Sequence, residues 1–465
     1  MDSFSPPHQK KPLLILGLLF SWFVFLNVGG SKSVVKTLPG FPTTLPFTLE
    51  TGYVTVGEKE DVELFYYFIE SERDPETDPL MLWLTGGPGC SGFSALVYEF
   101  GPLKFDFEAY DKDGSAKFLI NPYSWTKRAS IIFLDSPVGT GFSYATTKEG
   151  NSSSDTKATE DIYTFLRKWL SENPKFMKNR LYIAGDSYAG KIVPMVVFAV
   201  LQGIEAGMNP KMLLQGYIIG NPFTDKRIDA NSKIPFAHRL ALLSDQYYKM
   251  AKVYCKGEYT SPDPGNALCQ YALQLFQMCT EDISPDQVLE PYCKAPVEDD
   301  YSSIRLFSLR RSPRRCRFDD YVVSELWGNE VAVQEALHIR NGTIKKWKRC
   351  GGTHYEENIE SVVHYHKLLS DKGIKALVYS GDHDMNIPYV GTLEWIRLLN
   401  LTVDDDWRPW RVADQVAGYT ERYIHKESQA HLTFATLKGA GHTAPEYKPK
   451  ECLAMLERFF DSDPL

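Results

Sequence analysis

Short apolar runs recur along the chain, each closed by glycine, proline or a small polar cluster. Leu80-Met81-Leu82-Trp83-Leu84, Leu181-Tyr182-Ile183-Ala184, Leu213 to Ile219, Ile374 to Ser380 and Leu432 to Leu437 all have the length and composition of buried strands. Gly52 to Val56 and Glu63 to Phe68 read as the first strands, paired as an edge hairpin. Helical spacing appears between these runs. Ser154 or Asp155 is placed to cap a helix that carries Ala158, Ile162, Phe165, Leu166, Trp169 and Leu170 on one face. A second apolar helix is predicted from Ile192 to Leu201. Strands alternating with helices predict an α/β fold with a central, mostly parallel sheet. The alternation stops between about 225 and 345. That stretch holds five of the eight cysteines and mixes short helical segments with Pro/Gly turns, so it reads as an inserted helical cap region. The expected organisation is 31–224 and 346–465 as two parts of one core, with 225–345 inserted over a site and shielding it from water.

Polar residues stand out where the strands end. Gly185-Asp186-Ser187-Tyr188-Ala189-Gly190 lies between an apolar strand and an apolar helix. A serine on such a sharp turn is lifted clear of the backbone above a helix N-terminus, the nucleophile elbow of α/β-hydrolases. Ala189 stands where the usual pattern has a second glycine, and both are small enough for close packing. A serine needs a base, and the base needs an orienting acid. In this fold they follow in the order Ser, Asp, His, each after a strand. Gly381-Asp382-His383-Asp384 follows one predicted strand, and Lys438-Gly439-Ala440-Gly441-His442 follows another. The positions nearest the strand ends favour Asp382 and His442, with His383 and Asp384 as neighbouring alternatives. An oxyanion hole is also required. Thr85-Gly86-Gly87-Pro88-Gly89 follows an early strand and would bring one backbone N–H, and Tyr188 the other.

Together, Trp83-Leu84-Thr85-Gly86-Gly87-Pro88-Gly89-Cys90-Ser91, Asp135-Ser136-Pro137-Val138-Gly139-Thr140-Gly141-Phe142-Ser143-Tyr144, Gly185 to Gly190 and Gly439-Ala440-Gly441-His442 resemble the serine carboxypeptidases, from about Lys36 to the end. The resemblance implies an α/β-hydrolase core, a triad of Ser187, Asp382 and His442, and Gly87 and Tyr188 as oxyanion donors. It implies that Cys90 pairs with Cys350.

Peptidase members usually have asparagine where Thr85 stands and glutamate where Asp186 stands. There, with a further glutamate matched by Glu99, these residues hold the substrate's terminal carboxylate. Thr85 offers one hydroxyl in place of two amide N–H donors, and Asp186 is one methylene shorter. Thr85, Gly86, Glu99 and Asp186 are therefore the expected substrate-binding residues of an altered site. The alterations are similar to the plant acyltransferase branch of the family, whose donors are 1-O-acyl-β-glucose esters. That branch also resembles this chain at Gly92, at Gly381 to Met385 and at His442 to Tyr447, and Lys191-Ile192 follows the elbow where peptidases often have His-Tyr. The expected activity is acyl transfer through an acyl-Ser187 to an acceptor hydroxyl, without cofactor or metal. The alternatives are an acid carboxypeptidase and a catalytically silent partner subunit.

Residues 1–30 read as a signal peptide. His8, Lys10 and Lys11 precede an apolar run, Leu13 to Val28, that ends at small residues and, at about 16 residues, is shorter than the roughly 20 needed to span a bilayer. The sequons at Asn151, Asn341 and Asn400 and the cysteine count fit a secretory route. Cys255–Cys269 is expected as a second disulfide; the pairing of Cys279, Cys293 and Cys316 is open, and Cys452 falls on a predicted last helix as a buried thiol. A net charge of −8 argues against nucleic-acid or anionic-membrane partners and suits an acidic compartment, which the resemblance suggests is the vacuole. Arg310-Arg311-Ser312-Pro313-Arg314-Arg315 reads either as a solvated loop or as part of an excised linker near 296–316. Excision would leave two chains joined by Cys90–Cys350.

Overall fold

The β-branched and aromatic runs become strands of one large sheet. The computed structural model describes residues 32–293, 317–351 and 354–465. The predicted leader, the linker near 296–316 and Cys316 lie outside the described residues.

In chain order the strands are β1 (Ser33–Val35), β2 (Leu49–Val56), β3 (Val62–Ile69), β4 (Leu80–Leu84), β5 (Leu103–Phe105), β6 (Phe118–Ile120), β7 (Ser130–Leu134) and β8 (Tyr144–Ala145). There follow β9 (Ser152–Ser154), β10 (Arg180–Asp186), β11 (Leu213–Gly220), β12 (His354–Glu356), β13 (Lys375–Gly381), β14 (Thr402–Val412), β15 (Gln415–Ile424) and β16 (His431–Leu437). Across the large sheet the order is β1-β2-β3-β7-β4-β10-β11-β13-β16-β15-β14, with β8 added to β3. From β7 to β16 every neighbour is parallel; the outer strands on both sides are antiparallel. This is the α/β-hydrolase arrangement.

Alternate residues of the central strands feed two cores. Trp83, Tyr182, Leu377 and Tyr379 face one, packed with Trp327, Trp347, Leu456 and Phe460. Leu82, Ile183, Ala376 and Val378 face the other, packed with helices Asp155–Glu172 and Ala189–Glu205. Both faces are covered, as a parallel sheet requires. The predicted stripe from Ala158 to Leu170 is buried in the second core, and Ser154, not Asp155, caps its helix by accepting the Lys157 N–H.

The β2–β3 hairpin is not the sheet edge, because β1 covers β2. The long ribbon of β14 and β15 goes unpredicted: Asp404, Asp405, Asp406 and Pro409 mask it as a loop, while its exposed face leaves it free to be polar. Between β11 and β13 the chain leaves the sheet for helices that include Asp245–Cys255 and Ala267–Thr280. Their own small core, with Phe236, Leu243, Ala272 and Val288, reaches Met385 beside the ends of the central strands. Disulfides join Cys90 to Cys350 and Cys255 to Cys269. Cys293 is also disulfide-bonded, Cys279 is a free exposed thiol, and Cys452 is a free buried one on helix Pro449–Asp461. Among the described residues no helix is long and apolar enough to cross a membrane.

Candidate active site

The carboxyl ends of β4, β10, β13 and β16 meet at one place, where open parallel sheets present their ligand sites. β10 ends in the elbow. Ser187 has φ +55°, the left-handed region, and its N–H is held by the Gly220 carbonyl (2.9 Å). Small residues make that turn fit. A Cβ on Gly185 would lie 2.7 Å from the Ala189 Cβ, and one on Gly190 would lie 2.5 Å from Pro222 Cβ. Ala189 thus fills the space that remains opposite Gly185.

His442, on the turn after β16, places Nε2 2.7 Å from Ser187 Oγ. Its Nδ1 lies 2.8 Å from Asp384 Oδ2. The orienting carboxylate is therefore Asp384, and the assignment of Asp382 is corrected. Asp382, directly after β13, stays at the rim, where it accepts the Gly439 N–H (2.7 Å) and pairs with His383 Nδ1 (2.6 Å). Two residues later the turn carries Asp384 beneath the surface. There it accepts hydrogen bonds from Asn221 Nδ2 (2.7 Å) and from the N–H groups of Asn386 (2.7 Å) and Ile387 (3.2 Å). An acceptor ringed by donors is used best as a carboxylate, which is what an orienting acid needs. The Asp384-Met385-Asn386-Ile387 sequence carried the signal, a side chain that can accept from the second and third N–H groups beyond it.

Burial pulls the His442 pKa down, but the charge and hydrogen bond of Asp384, then the charges of Asp286 and Asp186, outweigh it. The net effect is a pKa above the ordinary value of 6.5.

The loop after β4 arches over the serine. A Cβ on Gly86 would lie 2.5 Å from Ser187 Cβ and 2.7 Å from the Tyr188 nitrogen. Gly87 has φ +117°, and neither its N–H nor that of Tyr188 has a hydrogen-bond partner among the described residues. Both are free to meet developing negative charge. Cys90–Cys350 and the flanking bonds Ser91 N–H to Arg349 O (2.8 Å) and Gly351 N–H to Gly89 O (2.9 Å) hold the loop. Asp135 ties it from below, accepting Ser91 Oγ–H (2.6 Å) and the N–H groups of Gly92 and Phe142 (both 2.9 Å). Burial nevertheless pushes the Asp135 carboxyl up to about 7. Gly86→Ala is expected to lower serine reactivity by about 10²-fold or more, because the loop must lift off the nucleophile. The rate of labelling by a fluorophosphonate, with circular dichroism as fold control, checks this.

Beside the loop lie Thr85, Glu99 and Asp186. Thr85 Oγ1 accepts the Trp83 indole N–H (3.2 Å), and Asp186 Oδ1 accepts the Gly86 N–H (3.2 Å). Glu99 closes a wide helical turn, Ala95–Glu99, a distortion often found at functional sites. It is buried, and its Oε2 has no hydrogen-bond partner among the described residues. Burial, then the charge of Asp186, raises the Glu99 carboxyl far above its ordinary range. Burial raises Asp186 to about 6, opposed by the charge of His442 and the Gly86 N–H. The site thus sets Glu99, its carboxyl pushed toward the protonated form by burial and by the charge of Asp186, beside a second carboxyl that burial also raises.

One cluster was not foreseen as a unit. Lys191 is fully buried, with Nζ 3.9 Å from Asp155 Oδ2 and over the rings of Tyr188 and Phe223. Asp155 Oδ1 accepts the hydroxyls of Tyr188 (2.7 Å) and Tyr355 (2.9 Å). The cluster fixes the residue whose N–H faces the hole. The asparagines of the three sequons, Asn151, Asn341 and Asn400, are all exposed.

The arrangement suits acyl chemistry at a serine. In sequence, the serine carboxypeptidase family matches residues 39–462. The chain is 46% identical over 458 residues to "Serine carboxypeptidase-like 2" of Arabidopsis thaliana, covering 98% of each. It is 46% identical over 444 residues to "Serine carboxypeptidase-like 17" of the same plant, covering 95% of this chain and 96% of that one. In structure it is similar to Kex1(delta)p, a prohormone-processing carboxypeptidase from Saccharomyces cerevisiae, with TM-score 0.71, 20% identity and coverage of 93% and 95%. That likeness supports the fold, while the sequence matches carry the kinship: the chain belongs to the serine carboxypeptidase family.

Proposed function

We propose that the protein is an acyltransferase that moves an acyl group from a 1-O-acyl-β-glucose ester to an acceptor hydroxyl. His442 Nε2 takes the proton of Ser187 Oγ as that oxygen attacks the ester carbonyl. The N–H groups of Gly87 and Tyr188 bind the oxyanion, and the glycosyl C1–oxygen leaves with the proton from His442. Glucose and an acyl-Ser187 result. An acceptor O–H then gives its proton to His442 and its oxygen to the acyl carbon, which frees Ser187. Asp384 holds the imidazole tautomer and stabilises the imidazolium.

The observation that carries this reading is the inward commitment of the altered residues. Thr85 Oγ1 accepts from Trp83 and keeps a single O–H to donate where an amide would offer two, and Asp186 accepts the Gly86 N–H of the loop. Little is left there to grip a peptide's terminal carboxylate. Glu99, whose carboxyl burial pushes toward the protonated form, and the Thr85 O–H suit neutral sugar hydroxyls, which both donate and accept. The leader, the exposed sequons and the disulfides support passage through the secretory route, and the raised carboxyls suit an acidic vacuole.

The test is an assay of the glycosylated protein at mildly acidic pH. It offers a panel of 1-O-acyl-glucose donors with hydroxyl acceptors and, separately, blocked dipeptides. New ester with equimolar free glucose, absent in Ser187→Ala, is the expected result. Released C-terminal amino acid without ester would replace the reading by a carboxypeptidase.

A further inference from the structure

The region between β11 and β13 reaches the catalytic loops themselves. Its segment Pro285–Val288 threads between the two loops that carry Asp384 and His442. The Pro285 carbonyl accepts the N–H groups of Met385 (2.8 Å) and Asn386 (2.9 Å). Val288 N–H donates to the His383 carbonyl (3.1 Å), and buried Gln287 donates from Nε2 to the Gly439 carbonyl (3.3 Å). The Asp286 carbonyl accepts the N–H of His442 itself (2.7 Å). The fit there is close: a Cβ on Gly441 would lie 2.3 Å from that carbonyl oxygen. The Asp286 carboxylate turns to the same place, accepting Asn386 Nδ2 (3.0 Å). Asn386 in turn gives its N–H to Asp384. One residue of the insertion thus touches the histidine's backbone and, through Asn386, the support of its acid.

We propose that Asp286 is a positioning residue of the catalytic histidine, its carboxylate steadying the imidazolium and the Asp384 loop from the inserted region. The charged groups facing His442 are Asp384 from the turn after β13, Asp286 from the insertion and Asp186 from the end of β10. Glu99 stands behind Asp186, Asp382 is taken up by His383, and the Tyr447 ring packs against Gly441. Asp286 is the one carboxylate of the three supplied from outside the sheet.

The inference rests on His442 acting as base to Ser187, so its test uses a reagent indifferent to the natural substrate. The rate of Ser187 phosphorylation by diisopropyl fluorophosphate, which releases fluoride, is followed from pH 4 to 10 in the full-length glycosylated protein. Asp286→Asn keeps an acceptor for Asn386 and removes the charge. Its acid limb is expected to move to lower pH by about half a unit or more, since a lost neighbouring anion disfavours the imidazolium. Asp286→Glu, which keeps the charge, is expected to move it back toward wild type. Thermal melting identifies any variant that fails to fold, and the Glu variant then carries the comparison. An acid limb in folded Asp286→Asn that coincides with wild type overturns the proposal, as does an equal shift in Asp286→Glu. Absence of labelling in wild type would remove the activated serine and this inference with it. Normal labelling with dipeptide turnover in place of ester formation would remove only the acyl-transfer reading.

Discussion

Asp384→Asn is expected to lower acyl transfer by about 10³–10⁴-fold, because an amide in that place presents the wrong hydrogen-bonding face to His442 and cannot stabilise the imidazolium. Asp382→Asn is expected to cost less than about tenfold, as its carboxylate is occupied by His383 and the Gly439 N–H, with no contact to His442. Steady-state rates on one donor–acceptor pair, with circular dichroism for both variants, separate the two carboxylates. The opposite ranking would return the acid to the strand end.

Thermal stability is expected to fall as pH rises from 5 to 8. Burial raises Asp135 and Asp229 to about 7, Asp161 and Asp186 to about 6, and Glu99 further still. Each folded-state pKa stands above its unfolded value. Between about pH 4 and 7 the native chain therefore holds protons that the unfolded chain has released. Their stabilisation is complete below the unfolded pKa values and is lost as pH climbs through the folded ones. His442, also raised, acts in the same sense. Buried His366, bonded to the Tyr217 hydroxyl and lowered to about 3, acts in the opposite sense and destabilises the fold below its unfolded pKa. His431, which burial also lowers, opposes in the same way, but the raised carboxyls, joined by Asp384, outnumber the two histidines and leave the decline dominant. Each tenfold change in proton affinity is worth about 1.4 kcal/mol, so the sum is on the order of several kcal/mol, and Tm should drop by at least roughly 5 °C. A scanning-calorimetry Tm that is flat or rising over this range would contradict these protonation states.

The central strands were legible because a strand buried on both faces must be apolar throughout, as Leu80–Leu84 and Lys375–Gly381 nearly are. Ser187 and His442 were legible because the turns bearing them need small residues on both sides. The acid was misread: the local acceptor pattern at Asp384 to Ile387 pointed to it, but which carboxylate turns inward after Gly381 also depends on donors such as Asn221, distant in sequence. Asp286 was hidden for a similar reason, lying in a region without periodicity and meeting the catalytic loops only through tertiary folding. The β14–β15 ribbon was lost because an exposed strand need not alternate.

The central claim is acyl passage through Ser187 from a sugar ester. It is met most directly by quenching the protein with a 1-O-acyl-glucose in the absence of acceptor and weighing its peptides. The account predicts one acyl mass on the peptide containing Ser187, absent in Ser187→Ala and discharged as ester when a hydroxyl acceptor is added. An unmodified Ser187 peptide and intact donor, from protein that cleaves blocked dipeptides, would contradict it.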